Sequence, residues 1–201
     1  MKLKIAFSRF PALIALLPIA ASAHIGADAG AHHGSAFLMG VVHPFTGFDH
    51  LAAMLAVGAW SALAFKHSAP RMWVVVIAFA ALLLAGGIAG MAGASLPVVE
   101  PMIAASLLVL GVMIATQIKL PVAVGAAVVG AFAIFHGFAH GSELPATQAL
   151  ATLVGMVLGT MSIHALGILA GRLVLQRNEW LPRVAGVAVA LLGVGLLSGA
   201  L

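Results

Sequence analysis

Long apolar segments, separated by short breaks that contain polar residues, proline or glycine, run through this chain from residue 36 to its end. They lie at 36–65, 72–92, 98–118, 121–141, 146–170 and 181–201. A membrane-spanning helix needs roughly 20 mainly apolar residues. The pattern therefore predicts an all-α membrane protein with about six transmembrane helices, which form one domain over residues 36–201.

Composition agrees with a location in lipid. The 201 residues are 63% hydrophobic and 7% charged, with a mean hydropathy of +1.20, which excludes an ordinary soluble domain. The pI of about 10.4 would suggest a nucleic-acid partner in a soluble protein, but here Lys and Arg are dispersed at the span ends, so we expect membrane lipid and no nucleic acid. The chain has no cysteine, which leaves imidazole, carboxylate, thioether and backbone oxygen as metal ligands.

The amino terminus has the order of a secretory signal peptide. An apolar run at 10–20 precedes the small residues Ala21-Ser22-Ala23 and follows three basic residues, Lys2, Lys4 and Arg9. This order predicts a signal peptide at 1–23 that is cleaved after Ala23. An uncleaved signal anchor is the alternative.

Cleavage would make His24 the first residue of a short periplasmic tail at 24–35, which also holds His32 and His33. A free amine and an imidazole on one residue would let this tail collect cations outside the membrane. A plain polar leader is the other interpretation.

Charge distribution predicts the orientation. With the mature amino terminus outside, the cytoplasmic loops at 66–71, 117–121 and 171–183 hold every remaining basic residue: Lys66, Arg71, Lys119, Arg172, Arg177 and Arg183. The positive-inside rule then predicts a multi-pass protein of the bacterial cytoplasmic (inner) membrane with a periplasmic mature amino terminus. The same orientation places Asp28, Glu100 and Glu143 on the outer side, and Glu179 is the one acid inside. It places His43, His136 and His140 in the outer halves of their spans, which suits reception of an external cation.

The first span carries the motif H-P-F-T-G-F-D-H at 43–50. In an unbroken helix, His43 and His50 would stand about 10 Å apart, too far to share one metal. A helix break between Pro44 and Gly47 would shorten that distance. Asp49 is either a direct ligand or the acceptor that orients the His50 ring. Met54 could add a thioether, although packing explains a methionine in an apolar helix more simply.

The fourth span ends in F-H-G-F-A-H-G-S-E at 135–143. His136 and His140 share one helix face, with the spacing used by helical zinc sites, and Glu143 follows within reach of His140. Glu100, at the outer start of the third span, is a further ligand, an entrance charge or a solvated loop carboxylate.

Ionisable groups inside a membrane cost several kcal/mol unless they pair or serve a pathway. The two motifs concentrate such groups in two short segments, so we predict a functional cation site there. His164, near Ser162 in the fifth span, fits a hydrogen-bonded core residue instead. The small-residue helix faces suit packing within one chain or in a homo-oligomer.

The two motifs also share the pattern F-x-G-F-x-H, at 45–50 and at 135–140. The copies are three spans apart, so their helices run in opposite directions, as a 3+3 inverted repeat requires. Their depths disagree, since His50 is expected near mid-membrane and His140 near the outer edge. With or without a repeat, we expect the two segments to face each other around the site.

At these motifs the sequence resembles the HupE/UreJ family of membrane proteins, which is associated with nickel supply to hydrogenase and urease. The resemblance also covers the signal peptide and the six spans. It implies nickel uptake, with important positions at His43, Asp49, His50, His140 and Glu143, and with His136 in the same motif. Glu100 and, less closely, Phe79 are similar to other residues implicated in the family.

The predicted function is therefore a permease, not an enzyme, that moves a divalent cation from periplasm to cytoplasm and holds no permanent cofactor. Imidazole ligands favour nickel, with cobalt and zinc as alternatives, over hard cations. The proposed ligands are His43, Asp49, His50, His136, His140, Glu143, Glu100 and His24. One rival is an intramembrane zinc hydrolase with an open coordination position. Another is a b-type haem protein.

Overall fold

The structure, a computed structural model, describes residues 33–144 and 148–201. These ranges contain seven α-helices, one 3₁₀ helix and no β-strand, which confirms the all-α class. The elements are α1 (His33–Thr46), α2 (Phe48–Ala64), α3 (Ala69–Met91), α4 (Val99–Ala115), α5 (Val122–Glu143), α6 (Ala149–Leu173), the 3₁₀ helix (Leu175–Arg177) and α7 (Trp180–Leu197). The predicted signal peptide, His24 and the rest of the tail up to residue 32 lie outside the described residues.

All six predicted apolar segments are helical, but they differ in their capacity to cross a membrane. Helices α3, α5, α6 and α7 are long and apolar enough to do so, and α1 with α2 adds a fifth candidate if this bent pair is one span. Helix α4 has 17 residues, or about 26 Å at 1.5 Å per residue, which is shorter than the roughly 30 Å hydrocarbon core. The described residues thus provide four to five candidate spans.

The first predicted span is broken at Gly47, as the sequence indicated. Pro44 lies inside α1, and Gly47 has an extended backbone, with φ −85° and ψ 116°. Proline lacks the N–H that would continue the helical hydrogen bonds, and the chain leaves the helix three residues later. Helix α2 then starts at an angle of 80° to α1. The chain therefore changes direction between His43 and His50.

Small residues bring the helices together in three close arrangements: α3 with α5, α6 with both α1 and α2, and α4 with α7. A Cβ atom would collide with a facing backbone carbonyl at several glycines, among them Gly137 and Gly141 on α5 and Gly159 and Gly167 on α6. Such approaches are how membrane helices pack without a hydrophobic driving force between them. They place α6 along both halves of the bent pair.

The connections that follow α2, α4 and α6 gather at one end of the bundle, which we call the basic-loop end. Trp60 Nε1 donates a hydrogen bond to the Ile118 carbonyl at 3.1 Å, and Gln176 Nε2 donates one to the Ala62 carbonyl at 3.0 Å. The described Lys and Arg residues all lie in or near these connections: Lys66, Arg71, Lys119, Arg172, Arg177 and Arg183. The positive charge predicted for one side of the membrane is thus collected at one end of the structure.

Candidate metal centre

Four imidazole rings meet around the break between α1 and α2, and we call them the imidazole cluster: His43, His50, His136 and His140. The His140 ring centroid lies 4.6 Å from that of His43 and 4.5 Å from that of His50, and the His50 and His136 centroids are 5.1 Å apart. The two sequence motifs therefore do face each other. The expected difference in depth between His50 and His140 was wrong, because the two rings lie 4.5 Å apart beside an 80° bend whose angle the sequence does not predict.

Asp49 orients the His50 ring. Its Oδ1 accepts hydrogen bonds from the His50 backbone N–H at 2.8 Å and from Nδ1–H at 2.9 Å. The carboxylate also lies in the first turn of α2, where the helix dipole favours negative charge. With Nδ1 occupied by the proton that it donates, Nε2 of the neutral ring carries the lone pair. Of the two roles predicted for Asp49, the geometry matches the orienting acceptor.

In His136, as in His50, Nδ1 carries the proton and Nε2 the lone pair. The side chain is fully buried, and Nδ1–H donates to the Phe132 carbonyl at 3.0 Å, since a carbonyl can only accept. Its Nε2, like that of His50, is buried and has no hydrogen-bond partner. A buried acceptor left without a partner costs about 1–3 kcal/mol. Both rings thus hold an available lone pair, which is the form in which imidazole binds a cation.

His43 and His140 contact each other directly. Nε2 of His43 and Nδ1 of His140 are 3.2 Å apart, so one ring donates and the other accepts. No three His, Asp or Glu side chains in the described ranges already surround a point where a metal ion would fit. The cluster is therefore a group of adjacent donors, and common coordination of one cation would require its rings to rotate.

The other predicted site residues do not join the cluster. Glu100, in the first turn of α4, and Glu143, the last residue of α5, are both exposed, and no described hydrogen bond or ion pair connects them to the imidazoles. Met54 is packed in the hydrophobic core, in agreement with the simpler interpretation. His24 lies outside the described residues.

His164 departs in part from its prediction as a hydrogen-bonded core residue. Its Nδ1–H donates to the Thr160 carbonyl at 2.7 Å, whereas the nearby Ser162 is exposed and bonds to Leu158. Its Nε2 and the Thr160 hydroxyl are both buried without a partner. Sequence reasoning missed this pair, although the spacing of Thr160 and His164 already places both on one face of an apolar helix.

The helices and the cluster together define a multi-pass membrane protein that carries imidazole and carboxylate groups between its helices. The chain belongs to the HupE/UreJ family: the family model described as "HupE / UreJ protein" matches residues 12–196. It is similar to Protein HupE of Rhizobium leguminosarum bv. viciae, with 40% identity over 185 residues that cover 91% of this chain and 93% of the relative. No solved structure matches it.

Family membership confirms the resemblance seen in the two motifs. The HupE/UreJ family comprises transporter and accessory membrane proteins, not enzymes, which sets aside the intramembrane hydrolase. It supports a role in nickel or cobalt transport or a related accessory function.

Proposed function

We propose that this protein is a permease for a divalent transition metal, nickel first, and that the ion passes through the imidazole cluster from periplasm to cytoplasm. The observation that carries the proposal is the pair of buried, unpartnered Nε2 atoms on His50 and His136, beside the rings of His43 and His140. A cation is the partner that such lone pairs lack. Imidazole ligands suit nickel, cobalt and zinc better than magnesium or calcium.

In the proposed path, the exposed carboxylates of Glu100 and Glu143, with His24 in the predicted tail, attract and partly dehydrate the ion at the outer mouth. The ion then binds to cluster imidazoles as their rings rotate, with Asp49 holding the His50 ring in the ligating tautomer. The absence of a ready-made three-ligand cage in the described ranges suits this task, because permeation needs an ion that binds and then leaves.

We further propose six crossings of the inner membrane after a cleaved signal peptide at 1–23, with α4 as the short span. The contact between Trp60 and Ile118 supports this count, because α3 leads away from the basic-loop end and α4 must return to it. Single cysteines test the orientation, since the chain has none of its own. A membrane-impermeant maleimide added outside cells should label Ser95→Cys but not Thr116→Cys; the reverse would contradict the orientation.

A 3+3 inverted repeat is part of the proposal. The first half consists of the bent pair, α3 and α4, and the second half of α5, α6 and α7, so the bent pair corresponds to α5, α3 to α6 and α4 to α7. In this correspondence, the close packing of α3 with α5 is equivalent to that of α6 with the bent pair, and the α4–α7 pair is equivalent to itself. It also relates His50 to His140, the equivalent histidines of the F-x-G-F-x-H pattern. Their rings lie 4.5 Å apart, as expected for equivalent residues beside a two-fold axis.

Uptake of radioactive nickel by cells that express the protein tests the function. We expect uptake to fall to the level of cells without the protein in His50→Ala and in His140→Ala, at equal protein abundance. His67→Ala is the matched control, because His67 is an exposed histidine at the basic-loop end, and it should transport normally. Unchanged uptake in both cluster variants would overturn the proposal, and competition by cobalt and zinc would rank the ions.

A further inference from the structure

Buried side-chain nitrogen and oxygen atoms without a hydrogen-bond partner are confined to two places in the described ranges. The Nε2 atoms of His50 and His136 belong to the imidazole cluster. The other two, Nε2 of His164 and Oγ1 of Thr160, lie on α6. Buried polar atoms normally have a hydrogen-bond partner. The lack of one suggests a ligand for this second pair as much as for the first.

His164 of the α6 pair has a free lone pair on Nε2, as His50 and His136 of the cluster do. Thr160 and His164 are one helical turn apart, and both are fully buried. The bond from His164 Nδ1–H to the Thr160 carbonyl leaves the lone pair on Nε2. The backbone of α2 approaches closely here, because a Cβ on Gly58 would collide with the His164 carbonyl, so neighbouring helices hold this part of α6 in place.

The Phe79 ring lies close to one imidazole of each place. Its centroid is 6.0 Å from that of His136 and 4.9 Å from that of His164. His136 lies in the last third of α5, Phe79 at the middle of α3, and His164 just past the middle of α6. Because α5 and α6 are consecutive and run in opposite directions, His164 lies closer than His136 to the basic-loop end.

On the basis of the proposed permease function, we propose that His164 Nε2 and Thr160 Oγ1 form a second, inner binding station for the transported divalent cation. The Phe79 ring lies beside both this station and the imidazole cluster. One imidazole and one hydroxyl, with water completing the shell, bind a transition metal more weakly than several imidazoles do. A weaker station on the inner side favours release toward the cytoplasm.

Nickel binding to the purified full-length protein in lipid nanodiscs tests the inner station, with equilibrium dialysis as the readout. We expect two ions per wild-type chain and one per His164→Leu chain. Thr160→Val, which keeps the side-chain shape, should weaken one of the two binding steps about tenfold. Ser162→Ala, an exposed position on the same helix, is the control and should bind as wild type does. His164→Met supplies a thioether donor and should recover the second ion.

The outcomes separate this inference from the proposed function. Two ions with wild-type affinities in both His164→Leu and Thr160→Val would overturn the inner station. A single ion in wild type that is lost in His140→Ala would also overturn it but would leave the cluster as the transport site. If wild-type protein neither binds nickel nor supports uptake, both proposals fall. If His164→Leu does not fold, Thr160→Val and His164→Met decide the question.

Discussion

At the basic-loop end, Trp60, Gln117 and Gln176 each donate a side-chain hydrogen bond to the backbone of another segment. The break at Gly47 lies at the opposite end. There, His50 and His136 each use Nδ1 for a local hydrogen bond, and their Nε2 atoms are buried without a partner. Polar groups at the first end hold segments together. At the second end, nitrogen atoms without a hydrogen-bond partner can still bind a ligand, so a ligand is expected there.

The largest effect that this contrast predicts is in His136→Phe. Loss of the unpartnered Nε2 should lower nickel uptake by about 100-fold, the upper end of what removal of metal-site groups costs. The melting temperature should change little, because the substitution removes one hydrogen bond, from Nδ1–H to the Phe132 carbonyl, but also removes the buried, unpartnered Nε2, and these two effects on stability oppose each other. Uptake and thermal unfolding of the purified protein would be measured side by side. A large loss of stability would mean that the ring is structural, and His67→Phe is the control.

A smaller effect is expected for Asp49→Asn. The amide oxygen can still accept from His50 Nδ1–H, but without the charge it orients the ring and supports its basicity less well. Nickel uptake should therefore fall about tenfold, with normal membrane abundance. Glu179→Gln makes the same chemical change at an exposed position of the basic-loop end and should have no effect. Equal uptake in the two variants would remove Asp49 from the site.

The smallest effect on uptake is expected at the other end, in Trp60→Phe. The substitution removes the hydrogen bond to the Ile118 carbonyl and part of a fully buried ring, so it should lower the free energy of unfolding by about 2 kcal/mol. Uptake should stay at the wild-type level, because Trp60 lies far from the cluster along α2. Trp73→Phe, a more exposed tryptophan on α3, controls for the loss of aromatic area. A selective loss of uptake would contradict the division between the two ends.

The sequence predicted the helices well because each apolar segment must satisfy its backbone within the helix. The break near Pro44 and Gly47 was also predictable from their backbone chemistry. Its angle was not, because residue counting along a straight axis cannot show that His50 turns to meet His140. The short α4 follows from its end at Ala115, where the predicted segment continued to 118.

The sequence predicts the residue types of the candidate site better than it predicts where those residues lie in space. Imidazoles in two short segments implied convergence, and the rings do meet. Glu100 and Glu143 carried the right chemistry, but helix ends expose them to the surroundings. In the sequence His164 resembles a core residue, because no second histidine lies at helical spacing from it. Its significance depends on Phe79, which comes from a helix three elements earlier.

X-ray absorption at the nickel edge of the purified protein shows whether cluster imidazoles ligate the transported ion. With one equivalent of nickel, we expect the outer-shell scattering of imidazole rings in wild type and in His67→Ala. This scattering should be clearly reduced in a variant that combines His50→Ala with His140→Ala. Bound nickel with no imidazole scattering, or with the same scattering in all three proteins, would mean that the imidazole cluster does not ligate the ion.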